Sequence, residues 1–297
     1  IPAVLTMIPM LIIFMQPDFG TAIIFIPILF TMLFVGGADI THLVAIISIA
    51  AIATVFPMIL TYREWIGAQE SNIILDFFKD IDLLLIVSGV LLLISLVTFA
   101  LHFFLVKQFY RKIYIPSIVF SMGLFFSVII QKYLKDYQKK RILVFLNPDL
   151  DPHGSGWNVI QSKIAVGSGG FLGKGFLSGS QAQLGFLPEK SSDFIFSVVA
   201  EEWGFIGSTL LLALLAIVVI RGMQITFESK DKYGALISSG IVAIFFFHIL
   251  INIGMVLGIM PVTGLPLTFV SYGGSNLLMA MMAVGILINI RMRKFVY

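Results

Sequence analysis

Residues 83–105 read LLLIVSGVLLLISLVTFALHFFL, and no charged side chain falls between Asp82 and Lys107. A helix rising 1.5 Å per residue crosses the roughly 30 Å hydrocarbon layer of a bilayer in about 20 residues, so this run is long enough to span. Seven further apolar stretches flank it, at roughly 1–15, 20–37, 42–61, 114–133, 194–220, 234–257 and 267–290. The expected fold class is all-α, a polytopic transmembrane helical bundle of about eight spans with one long outer loop at 134–192. Composition agrees. Of the 297 residues, 59% are hydrophobic and only 12% charged, whereas a soluble domain is nearer half apolar and a quarter charged. A soluble enzyme, a disordered chain and a basic nucleic-acid binder are thereby excluded, and no nucleic-acid partner is expected. The absence of cysteine rules out disulfides, thiol chemistry and thiolate zinc sites.

Orientation follows from loop charge. Alternating the spans places Lys107, Arg111, Lys112, Arg221, Lys230, Lys232, Arg291, Arg293 and Lys294 on one side. The short loops of the other side hold only Arg63 and Lys79. The richer side is therefore the cytoplasmic one. The chain opens on Ile1 with a short first span and no basic leader, which suggests that further spans precede it.

On this topology the polar chemistry gathers outside: Asp18, the 134–192 loop, Asp193 and the 258–275 segment. Within the loop, Lys139, Lys140 and Arg141 form a basic run at the membrane surface, suited to anionic headgroups. Residues 167–175, GSGGFLGKG, invite a nucleotide-loop reading, but Ser168 and Gly175 break the Walker spacing and Leu172 breaks the dinucleotide one. Two readings are left: a compact turn-rich loop, or backbone N–H groups that cradle a diphosphate together with Lys163 or Lys174. Glu201 and Glu202 lie about 12–14 Å along the helix from Asp193, a costly depth for charge, and are expected to give structural support. A kink near Gly204 would leave them in the interface. His248 and Asn252, one turn apart, suit shared polar packing, and Pro261, Gly264 and Pro266 suit an outer re-entrant turn.

Several of these stretches carry a resemblance. Gln16-Pro17-Asp18-Phe19-Gly20-Thr21-Ala22 is similar to the QPDLGTA motif of the SEDS family of shape, elongation, division and sporulation proteins. Tyr137-Gln138, Gln161-Ser162-Lys163-Ile164-Ala165, Gly179 to Leu184, Phe186 to Phe196 and Ala200 to Gly204 resemble its RodA branch in order and spacing. So do Asn252 to Met255, Pro261 to Pro266 and Ser271 to Ser275, while Lys163 and Gly173-Lys174-Gly175 favour that branch over the FtsW one. There are departures. The spans that usually precede the QPD motif are not seen, Ser192 stands where a Thr is usual, and about 62–133 includes an extra helix pair. The chain otherwise reads as a single integral-membrane domain over 1–297.

The resemblance implies a peptidoglycan glycosyltransferase that polymerises lipid II during cell elongation and shape maintenance and releases polyprenyl diphosphate. It implies a multi-pass protein of the bacterial cytoplasmic membrane with its site on the extracytoplasmic side, working with a class B penicillin-binding protein. Such chemistry needs a base for the attacking hydroxyl and positive charge for the departing diphosphate. Asp193 is the expected base, with a carboxyl pKa raised by burial beside Phe194 and Phe196; otherwise it caps its helix or pairs with Lys190, with Ser191 or Ser192 as the other cap. Asp18 either pairs with a loop cation or shares a divalent cation, Mg²⁺ or Mn²⁺, with Asp193. Arg141, Lys140, Lys163, Lys174, Gln161 and Ser275 are expected to bind substrate or shape the site. The competing readings are a lipid II flippase and a non-catalytic scaffold of the elongation complex.

Overall fold

The computed structural model describes residues 2–16, 19–66, 80–105, 108–133, 144, 145, 147, 148, 151, 156–187 and 189–293. Ten helices cover the described residues: α1 Pro2–Met15, α2 Phe19–Val35, α3 Ile40–Ile66, α4 Ile81–Leu105, α5 Gln108–Tyr133, α6 Trp157–Ser168, α7 Ser180–Gln183, α8 Ile195–Glu228, α9 Lys232–Val256 and α10 Gly274–Arg293. Six of them (α3, α4, α5, α8, α9 and α10) are long and apolar enough to cross a membrane, and α2 is a shorter apolar helix. The all-helical membrane architecture is therefore as expected. Helix starts follow side-chain chemistry. Asp231 caps α9 by accepting from the Gly234 N–H at 2.9 Å, and Asp80 accepts from the Asp82 and Leu83 N–H groups at 3.1 and 3.3 Å to start α4.

The chain divides into two compact units, residues 39–146 and residues 1–38 with 147–297. In the first, α3, α4 and α5 pack around Leu84, Leu124 and Val128, with Ile52 and Phe56 against them. Small residues allow close approach: the Ser121 hydroxyl donates to the Ser88 carbonyl across α4 and α5 at 2.8 Å, and a Cβ on Gly123 would lie 2.6 Å from Ile52.

In the second unit one apolar cluster, including Val219, Val242, Phe245, Ala280 and Leu287, joins α8, α9 and α10. Another, built on Ala165, Leu187, Phe194, Phe196, Leu215, Val256 and Leu267, joins the outer segments to α8 and α9. Helix α10 starts at Gly274, later than the apolar run at 267 suggests, because residues 267–273 are spent on irregular backbone that the site uses. Helix α8 runs through to Glu228 but breaks at Gly204, where φ is 64° and ψ is −160°.

Candidate functional site

Asp193 stands two residues before α8, on a tight turn. Its N–H donates to the Glu189 carbonyl at 3.1 Å. The three carbonyls of Ser191, Ser192 and Asp193 are then taken in succession. The Tyr272 N–H donates to Ser191 at 2.8 Å, the Ser271 hydroxyl donates to Ser192, and the Asn252 amide donates to Asp193 at 2.8 Å. Asn252 also donates to the Leu265 carbonyl at 2.7 Å, and Ser271 accepts from the Leu267 N–H at 2.7 Å. One turn before Asn252, His248 faces the Pro266 carbonyl through Nδ1 at 3.2 Å. The 265–272 segment and α9 thus lock the backbone that carries Asp193.

The carboxylate itself takes no part in this backbone scaffold. Asp193 does not cap α8, which starts at Phe194 with no side-chain cap. Ser191 and Ser192 do not cap α8 either, since the Ser192 hydroxyl turns back to the carbonyl and carboxylate of Glu189. A Cβ on Gly264 would lie 3.5 Å from Asp193 Oδ2, so the re-entrant turn walls one side of the carboxylate. Phe194 and Phe196 are buried beneath it. Burial pushes the Asp193 pKa up, the neighbouring Glu189 carboxylate adds to that, and a contact from the Ser192 hydroxyl opposes it.

The QPD motif reaches the same place through Gly20. A Cβ there would lie 1.9 Å from the Thr263 carbonyl oxygen, so only glycine lets the start of α2 press against the 261–264 turn. Asp18 itself lies outside the described residues, as do Lys140 and Arg141.

Lys163 is exposed on α6, and its side chain lies across Gly258, just past the end of α9. Next to it, Ser162 is buried and donates to the Val256 carbonyl at 2.8 Å, which fixes α6 on that helix end. Gln161 is buried on α6, and Ser275 is exposed in the first turn of α10.

Lys174 is placed elsewhere. Its Nζ pairs with Glu201 Oε1 at 2.8 Å and donates to Ser180 at 3.0 Å. The same oxygen accepts from the Ser180 hydroxyl, the Ser168 hydroxyl and the Gln181 N–H at 3.1, 3.4 and 3.2 Å. Glu201 is fully buried and Glu202 nearly so. The Glu201 carboxylate thus gathers four donors from the outer loop.

The glycine-rich stretch answers the helix break. In an unbroken helix the N–H groups of Phe205 and Ile206 pair with the carbonyls of Glu201 and Glu202. Here Phe205 donates to Gly170 at 2.9 Å and Ile206 to Phe171 at 3.3 Å. Lys174 and Gly175 in turn donate to the Glu201 and Glu202 carbonyls, each at 3.0 Å. All four groups freed by the kink bind the 170–175 segment. Its Lys174 and Gly175 amides are therefore spent on protein rather than on a diphosphate.

No group of three or more His, Cys, Asp or Glu side chains suited to a metal occurs among the described residues.

The family model for FtsW, RodA and SpoVE, described as cell cycle proteins, matches residues 1–81 and 80–295. The chain belongs to that family. It is 37% identical to the peptidoglycan glycosyltransferase RodA of Treponema pallidum over 98% of this chain and 67% of the relative. It is 47% identical to the peptidoglycan glycosyltransferase MrdB of Escherichia coli K12 over 54% of this chain and 44% of that protein. A chain in a structure described as the structural coordination of polymerization and crosslinking by a peptidoglycan synthase complex matches with a TM-score of 0.60 and 27% identity. That match covers 99% of this chain and 62% of the solved one. The chain thus spans between less than half and about two thirds of these FtsW/RodA/SpoVE relatives.

Two site features escaped sequence reading. Asn252 and Ser271 hold Asp193 across 59 residues and its neighbour Ser192 across 79. Their signal was their polarity in otherwise apolar runs, which identifies a buried partner without saying which one.

Proposed function

We propose that this chain carries the catalytic core of a peptidoglycan glycosyltransferase that polymerises lipid II on the extracytoplasmic face of the bacterial cytoplasmic membrane. The carrying observation is Asp193: a half-buried carboxylate on a backbone fixed by three consecutive carbonyl bonds and walled by the turn at Gly264. The names of the relatives and the motifs shared with them support the reading.

The 4-hydroxyl oxygen of the acceptor sugar attacks the anomeric carbon of the donor from the face opposite the diphosphate. As that bond forms, the anomeric carbon–oxygen bond to the diphosphate breaks, and its electron pair leaves with the polyprenyl diphosphate. The hydroxyl proton passes to an Asp193 oxygen. The raised pKa makes the ionised carboxylate a stronger base than an exposed aspartate. The configuration at carbon is inverted. Lys163 on α6, with Lys140 and Arg141, supplies positive charge for the leaving diphosphate. A divalent cation held by Asp193 and Asp18 would add to that charge. The working partner is a class B penicillin-binding protein that crosslinks the new strands.

The test is polymerisation of lipid II by the purified complex with that partner. The parent should form glycan polymer, and Asp193→Asn at equal expression should lose at least about a hundredfold in rate, as removal of a general base does. Equal polymer from both removes Asp193 as the base. No polymer from the intact parent complex favours the flippase or scaffold reading instead.

A further inference from the structure

The loop that splices into α8 has a second face. While Lys174, Ser180 and the Gln181 amide turn toward Glu201, the apolar residues Phe171, Leu172, Phe176, Leu177, Leu184 and Phe186 are exposed. Leu172 is 79% exposed, Phe176 72% and Leu184 68%. So many large apolar side chains within some sixteen residues mark a surface that water does not face.

The adjoining surface says what does. The Phe171 ring packs on Phe205 of α8 with centroids 5.4 Å apart. Trp203, Phe205, Ile206, Leu210 and Leu214 of that helix are exposed in turn, as the lipid-facing side of a membrane span is. The loop's apolar face therefore continues the lipid-facing surface of α8.

Depth gives the same answer. From Glu201 to Arg221 is 20 residues, about 30 Å of helix, which matches the hydrocarbon thickness. With Arg221 at one boundary, Glu201, Trp203 and Phe205 sit at the other, where tryptophan is favoured. The break at Gly204 falls at this boundary, and its four freed backbone groups are bound by the loop. Backbone exposed to water needs no such pairing, whereas backbone in lipid does.

We infer that residues 169–187 form an in-plane membrane element, seated in the leaflet next to Asp193 with Phe171, Leu172, Phe176, Leu177, Leu184 and Phe186 among the upper acyl chains. The occupant of this surface is the bilayer. The element sets the height of the site: the start of α8 at Ile195 lies six residues above Glu201, about 9 Å along its axis, and Asp193 stands two residues before that start. That places its carboxylate at the outer rim of the headgroup zone, where a sugar carried on a lipid diphosphate projects. The inference requires only that α8 spans a membrane and does not depend on the reaction proposed above.

The chain contains no cysteine, so single cysteines can be introduced without background. Nitroxide labels at Phe176→Cys and Leu184→Cys would be read in bilayers of phosphatidylethanolamine and phosphatidylglycerol, by collision with oxygen and with a water-soluble nickel chelate. Leu214→Cys, at mid-span, and Lys232→Cys, at the exposed start of α9, serve as references. The expected oxygen-to-nickel ratio at both loop sites is at least about threefold above that at position 232 and below that at 214, as for an interfacial apolar face. A ratio equal to that of position 232 at either site places the loop in water and overturns the inference. Immobile labels shielded from both reagents place it against protein and overturn it equally. Leu172→Cys gives an independent reading if either variant fails to fold, and none of these readings depends on polymer formation.

Discussion

At the scale of single residues, Asp193 carries a pH dependence whose sign can be worked out. Its folded-state pKa is raised, so the folded chain holds the proton more tightly than the unfolded one. That contribution to stability is fully present below the ordinary carboxylate value and is lost as pH rises through the raised one. Above that raised value the ionised carboxylate is a net cost to the fold. Asp193→Asn should therefore leave the thermal midpoint at pH 7.5 unchanged or higher while activity is lost; a lower midpoint would make the residue structural. Over the same chemistry, the polymerisation rate of the parent should rise with pH through the raised pKa and then level off. The pair of Lys174 with Glu201 behaves differently because the partners differ in exposure, 31% for the lysine side chain and 0% for the glutamate. Lys174→Met strands a buried carboxylate and should cost about 3 kcal/mol. Glu201→Gln leaves a lysine that can reach water, and should cost about 1–2 kcal/mol. Chemical or thermal unfolding of the two variants in detergent checks that order, and the reverse order would mean that Lys174 is not what neutralises Glu201.

Among elements, α8 and the glycine-rich loop form a unit in which each supplies what the other lacks. Gly204 sits at φ 64° and ψ −160°, a region essentially reserved for glycine, and a Cβ there would lie 2.3 Å from the Gly173 nitrogen. Gly173, at φ 82°, would place a Cβ 2.1 Å from the Glu202 carbonyl oxygen. Gly204→Ala and Gly173→Ala should each cost at least about 1–3 kcal/mol from backbone strain alone, whereas Gly185→Ala meets no neighbour and carries only the strain of its φ of 74°. Thermal midpoints of the three variants measure the difference, and equal losses would show that the splice contributes nothing beyond strain. This pairing was only partly legible in the sequence. A helix longer than a bilayer requires, with a glycine after two glutamates, points to a kink. What it cannot show is that residues 170–175 fill the break, because the chemistry is carried by backbone groups that every residue possesses. Helix ends show the same limit. Hydropathy marks the part of a helix soluble in lipid, so α5 begins at Gln108 with Arg111 and Lys112 inside it, and α8 continues to Glu228 past Arg221.

For the molecule as a whole, hydropathy located the six helices long and apolar enough to cross a membrane and the shorter apolar α2, because lipid burial forces a backbone to satisfy itself within each segment. The candidate site could be drawn from the sequence as a set of residue types, but not as an arrangement. Asp193 could be picked out; that Asn252, Ser271 and Tyr272 fix its backbone could not, because those contacts join segments 59 to 81 residues apart. The side on which it is proposed to work rests on the expectation from loop charge, and this can be tested over the full length of the chain. With the positively charged loops inside, cysteines at Gln108 and Lys232 should react with a membrane-impermeant maleimide only after the cells are permeabilised. A cysteine at Gln183 should react in intact spheroplasts, or report burial in lipid by reacting slowly before and after permeabilisation alike. The two inner positions test different counts. Between Gln108 and Lys232 lie α5 and α8, so an even number of crossings returns both to the same side. Opposite behaviour at 108 and 232 would mean that one of these helices does not cross. Labelling of both from outside, with Gln183 protected until permeabilisation, would invert the protein. Asp193 would then face the cytoplasm, on the side away from the glycan strands it is proposed to extend.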